Sequence, residues 1–129
     1  MEEAKSAEAI VLASIDAYNR HDLDGCMAFF SPSATWEIIG MGQALSPEEL
    51  RIAFWQYFLR DVRVEVRSIT SAGSLVATEY VQTYTDDDQH RRLSAPIACF
   101  YEVQGEQITR VRLYYHPSWD RAQDPDGEA

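Results

Sequence analysis

The hydrophobic period changes once along this chain, near residue 62, and the change limits what the chain can fold into. Before it, Ile10, Ala13 and Ala17, joined by Leu12 and Ile15, recur at helical spacing and give one broad apolar face. After it, Val62, Val64 and Val66 alternate with Arg63, Glu65 and Arg67, the period of a strand with one face turned to a core. Helices followed by hairpin-linked strands predict an α+β fold with an antiparallel sheet. The 129 residues suit one domain, and 46% hydrophobic residues can fill its core. We expect a single domain over 1–129, with an ordered core over about 6–118 and an acidic tail over 120–129.

Local signals place the elements. Ser6 can cap a helix over 6–20, which Asn19-Arg20-His21-Asp22 breaks. Asp22 can cap a short helix over 23–30, stopped by Ser31-Pro32 because proline disfavours helix in the residue before it. Residues 34–39 read as a strand with Trp36 and Ile38 on one face and Glu37 on the other. Gly40-Met41-Gly42 is a loop. Ser46-Pro47-Glu48-Glu49 is a capping box, with serine as N-cap, proline at the first helical position and glutamate at the third. Its helix carries Leu50, Phe54, Trp55 and Phe58 and ends near Leu59. Ser71-Ala72-Gly73-Ser74 is a turn, 75–85 a long strand and 86–89 a hairpin tip. The return strand covers 90–103, where Pro96 implies a bulge or an edge position. Gln104-Gly105-Glu106 turns the chain into a last strand over 108–115, ended by His116-Pro117.

A net charge of −10 opposes nucleic acid, whose phosphates need clustered Lys and Arg, and opposes an anionic membrane surface equally. No apolar run approaches the roughly 20 residues of a membrane span. The polar, acidic start over 1–6 is not a secretory signal, so a cytoplasmic location is expected. Cys26 and Cys99 lack metal-type spacing; two buried free thiols are expected ahead of a disulfide. His21, His90 and His116 show no paired spacing, and no metal site is expected.

Tyr18-Asn19-Arg20-His21-Asp22-Leu23-Asp24, then Phe29-Phe30-Ser31-Pro32, then Ala34-Thr35-Trp36-Glu37 form an ordered series. With the capping box and closing hairpins, it resembles SnoaL-like and ketosteroid-isomerase-like domains of the nuclear transport factor 2 superfamily, over about 8–118. The resemblance implies a cone: a curved, mostly antiparallel sheet with three N-terminal helices closing its concave face. It implies homodimers formed through the sheet, and chemistry without a cofactor. Carried over residue by residue, the isomerase set fails. The aspartate base falls on Ile38, the enolate-binding tyrosine on Ser14 (with Tyr18 one turn further on), and the second acid near Cys99. The acid-base sets of limonene-epoxide hydrolases and polyketide cyclases find no match either. Steroid isomerisation is therefore not expected.

Strand parity predicts the pocket wall. Tyr80, Gln82 and Tyr84 face inward on the long strand, Cys99 and Tyr101 on the next, and Val111, Leu113 and Tyr115 on the last. Trp36, Ile38 and Tyr18 join them, with Phe54 or Trp55 from the third helix. Such a cavity suits a hydrophobic small molecule. Trp36 is either a core plug or a ligand platform. Gln82 is either a buried amide in need of partners or, if parity is misread, an exposed one. His116, near the rim, is either an acid-base group or a strand-end residue packed on Trp119. The catalytic candidates are His116, Tyr101 and Gln82. The expected function is an enzyme of cyclase, isomerase or dehydratase type. A binding module or a dimerisation domain of the same fold is the alternative.

Overall fold

The computed structural model describes residues 6–86 and 91–114. Helix α1 spans Ala7–Asn19; the Ser6 hydroxyl caps it, accepting from the Ala9 N–H at 3.1 Å. Helix α2 spans Leu23–Met27 under an Asp22 cap, whose carboxylate accepts the Gly25 N–H at 3.0 Å. Gly25 permits that approach, since a Cβ there would stand 2.1 Å from the Asp22 carboxylate. Helix α3 spans Pro47–Leu59 and starts on the complete capping box. The Ser46 hydroxyl accepts the Glu49 N–H, and Glu49 accepts the Ser46 N–H in return.

The strands are β1 (Phe30–Ile39), β2 (Gln43–Leu45), β3 (Arg63–Ala72), β4 (Leu75–Asp86), β5 (Arg91–Gln104) and β6 (Gln107–Tyr114). They form one sheet in the order β2-β1-β6-β5-β4-β3. Every pairing is antiparallel except β1 with β6, which run parallel and set Trp36 beside Val111. The expected α+β architecture holds: three helices stand on one face of a curved, mostly antiparallel sheet. No helix among the described residues is long and apolar enough to cross a membrane.

Three local expectations are corrected. The second helix stops at Met27 rather than Phe30, and Pro32 lies inside β1. Between Phe30 and Thr35 the register with β6 shifts, so the N–H that Pro32 lacks falls where the ladder is already interrupted. β2 is a strand that its short, polar surroundings did not announce. Pro96 makes no bulge: it faces Val81 in unbroken register. At the last hairpin, Gly105 and Glu106 both have positive φ (56° and 65°), as a type I′ turn requires. The tip over 87–90 lies outside the described residues.

The helices are fastened to the sheet at one point with particular economy. Asn19, the last residue of α1, donates to the Val64 carbonyl and accepts the Val64 N–H, both at 2.8 Å. The chain then turns at His21 (φ 57°), whose ring stacks on Phe58 at 4.8 Å and meets the Val62 carbonyl at 3.1 Å. Replacing Asn19 by alanine strands both backbone groups of Val64, half out of water. We expect a loss of about 2 kcal/mol in urea denaturation. A loss under about 0.5 kcal/mol means that water replaces the amide without cost.

On the outer face of the sheet, Glu37 accepts from Arg110 at 2.9 Å, and Glu102 meets the same guanidinium at 3.4 Å. This is the face to which alternation assigned Glu37.

Candidate functional site

Where α1 and α3 cross the concave face of the sheet, packing leaves a partly open cavity. Its volume is about 40 Å³ measured to the centres of water-sized spheres, within about 400 Å³ of empty space that includes the mouth. Adding the water radius to a compact space of that size gives roughly 180 Å³ of molecular volume, the scale of one six-membered ring. Pockets for drug-sized ligands are several times larger.

The upper wall is aromatic. Phe54 of α3, 2% exposed, stands edge-on to Tyr18 of α1 at 5.0 Å and to Trp36 of β1 at 5.4 Å. Phe30 closes the same side, 6.2 Å from Trp36. The floor belongs to the sheet, through Val64, Tyr80, Gln82 and Tyr101. Ser14, Ile15 and Cys26 complete the lining from the helices.

Behind the floor lies a buried polar knot. The Tyr80 hydroxyl is 2.8 Å from Cys99 Sγ, and Tyr101 is hydrogen-bonded to both residues. Burial pushes the Cys99 thiol up to about 12, against hydrogen bonds from the two tyrosines that hold it down. Burial also raises Tyr80, Tyr101 and Tyr18 well above the ordinary phenol value, and lifts Cys26 to about 12. The knot is therefore neutral throughout the physiological range.

Two polar groups of the lining are not consumed in this way. Among the described residues no hydrogen bond reaches the Gln82 amide or the Tyr18 hydroxyl. Ser14, by contrast, donates to its own helix at the Val11 carbonyl, 2.8 Å away. Among the described residues, no lining residue is Asp, Glu, His, Lys or Arg. Among the described residues no cluster of three His, Cys, Asp or Glu could hold a metal.

Set against expectation, Tyr18, Trp36, Tyr80, Gln82 and Tyr101 all line the cavity, and Cys99 lies directly behind it. Trp55 does not: it is 55% exposed, because Phe54 is the α3 ring that points inward. Tyr84 is buried beneath the Arg60 guanidinium, 5.0 Å from its ring centre, and lines no part of the cavity. Ile38 shares the face of Trp36 but lies further along β1, against the β1–β2 loop. Tyr115 and His116 lie outside the described residues. Ser14, Ile15, Cys26, Phe30 and Val64 escaped the reading as pocket residues. For Ser14 the signal was present, four residues before Tyr18 on one helix face.

A cone of three helices over a curved sheet, enclosing an aromatic cavity, defines the nuclear transport factor 2-like class of folds. Within that class, the model of the SnoaL-like domain matches residues 11–111, and the chain belongs to that family. No curated protein matches the sequence. Among solved structures, the epoxide hydrolase/cyclase-like enzyme SalBIII, with a role in pyran ring formation in the polyether salinomycin, superposes with a TM-score of 0.81. It is 19% identical, over 88% of this chain and 92% of that one. A ketosteroid isomerase-like protein from Catenulispora acidiphila, in complex with trimethylamine, gives 0.78 at 22% identity, over 88% and 90%. An LEH-like epoxide hydrolase from M. tuberculosis gives 0.76 at 20%, over 88% and 85%. At these identities the likeness is one of fold.

Proposed function

We propose that this protein binds a neutral, largely apolar molecule of about single-ring size, carrying one oxygen, and acts on it without a resident cofactor. The observation that carries the reading is the pair of unspent polar groups, Tyr18 and Gln82, in an otherwise apolar, ring-sized cavity. A neutral tyrosine hydroxyl in such surroundings is a strong hydrogen-bond donor to a carbonyl oxygen that gains charge. Tyr18 thus takes the donor role that family matching had given to Ser14. Tyr101 and Tyr80 hold the floor through Cys99. His116 is retained, from the sequence alone, as the proton acceptor. Cyclisation, isomerisation and dehydration all need such an oxyanion site, and the cyclase-like and hydrolase relatives fit the same class of chemistry. The homodimer through the outer sheet face belongs to this proposal as well.

A second reading, binding without turnover, draws on a specific observation: among the described residues the lining holds no Asp, Glu, His, Lys or Arg, and burial raises its tyrosines. Cyclohexanone in D2O separates the two. Its affinity is read by calorimetry, and exchange of its α-protons, which reports enolate formation, by NMR. We expect binding, a tenfold or weaker affinity for the two-ring 2-decalone, and exchange above the buffer rate. Tyr18→Phe should lower the exchange about 100-fold, and His116→Gln should abolish it. Binding without exchange leaves the second reading. Exchange unchanged in His116→Gln removes that residue from the mechanism.

A further inference from the structure

We propose that the head group recognised in this cavity presents a hydrogen-bond donor and an acceptor side by side, as a lactam or a primary carboxamide does. The inference rests on the single-ring cavity described above and names the class of compound it selects.

The polar groups of the cavity differ in what they have left to offer. Tyr80, Tyr101 and Cys99 are engaged with one another. Ser14 is engaged with Val11. Tyr18 retains a hydroxyl, and Gln82 retains both halves of its amide. The Gln82 position is set by the sheet: it lies within β4, opposite Val64 of β3 and Ala95 of β5, and parity turns it to the concave face. An amide held on a strand offers a carbonyl acceptor and an N–H donor about 2.3 Å apart along one edge. A simple ketone can satisfy only the donor, leaving the carbonyl dry and unpaired. A cis-amide edge satisfies both in a closed pair of hydrogen bonds, with the Tyr18 hydroxyl free to meet the second lone pair of the ligand oxygen. Charged ligands are disfavoured, because among the described residues no cationic or anionic side chain lines the space to offset their desolvation.

The test compares three ring compounds of nearly equal size on the full chain by calorimetry: 2-piperidone, its N-methyl derivative and cyclohexanone. We expect 2-piperidone to bind at least tenfold more tightly than either. In Gln82→Leu, and in Gln82→Met should the first variant fold poorly by circular dichroism, the three affinities should converge, with 2-piperidone losing the most. Cyclohexanone binding with no preference for 2-piperidone overturns the head-group assignment and leaves the ring-sized cavity standing. A preference that survives in both variants overturns the role of Gln82. Binding of none of the three overturns the cavity reading, and this inference with it.

Discussion

Replacing Phe54 by alanine is expected to cost about 3–5 kcal/mol, the range for deleting a fully buried aromatic ring. The size follows from its position. Phe54 is 2% exposed and packs against Tyr18 and Trp36 at 5.0 and 5.4 Å, and against Phe30 and Phe58 at 6.3 Å each. It thus ties α1, α3 and β1 together through one ring. The same ring is a wall of the cavity, so the variant merges a new void with the existing space. Urea denaturation should show a lower midpoint with an unchanged slope. A ring compound too large for the wild type, such as 2-decalone, should bind the variant if it stays folded. A loss below about 1 kcal/mol means that the aromatic cluster closes over the gap, and the cavity should then shrink instead of growing.

The second large effect is alkaline. Cys26 and Cys99 are buried, and both are raised from an ordinary value of 9.0 to about 12. The folded state therefore keeps protons that the unfolded state releases above pH 9. Stability from this source is complete below pH 9 and declines as the pH rises toward 12. Between pH 9 and 10.5 the two thiols together should remove about 3 kcal/mol. The buried tyrosines add to the decline above pH 10, since they too are raised. Stability measured by urea at pH 7, 9 and 10.5 should be flat over the first interval and fall steeply over the second. In Cys26→Ala/Cys99→Ala the second slope should be shallower by about two protons, whatever its stability at pH 7. Equal slopes would mean that the thiols ionise freely in the folded protein. On the acid side the sign reverses. Asp61 is lowered by its hydrogen bond with Arg63, so the stability it contributes is present above the usual carboxylate range and is lost as the pH falls through its lowered value.

The sequence disclosed most of the architecture, because its strongest signals are local. The Ser46 capping box, the Ser6 and Asp22 caps and the period change near residue 62 each act over a few residues, and each element begins where they put it. Alternation carried further still: it put Tyr80, Gln82 and Tyr101 on the concave face because a sheet with one buried face cannot slip by one residue. What escaped depends on contacts between distant segments. Whether Phe54 or Trp55 turns inward is settled by how α3 lies across β1, which a helical pattern with aromatics at adjacent positions does not fix. Tyr84 has the right parity yet misses the cavity, because Arg60 covers it near the open end of β4. The size of the cavity and the mutual capture of Tyr80, Cys99 and Tyr101 arise only when all three layers meet.

The one parallel pairing in the sheet bears on how the chain reaches this state. β1 has β2 on one side over three residues only, and β6 on the other. The Glu37–Arg110 bond between β1 and β6 spans 73 positions. The first strand of the sheet therefore has no lasting place until the last one exists. α1, α3 and the β3–β4–β5 meander can form from neighbouring segments, but closure of the cone must await a distant partner, and such loop closure slows folding. On the ribosome, the segment carrying Trp36 and Ile38 has only the short β2 to pair with until Arg110 and its strand, 73 positions beyond Glu37, have been made. That interval, rather than any weakness of the finished fold, is when this protein is most open to the wrong strand and to aggregation.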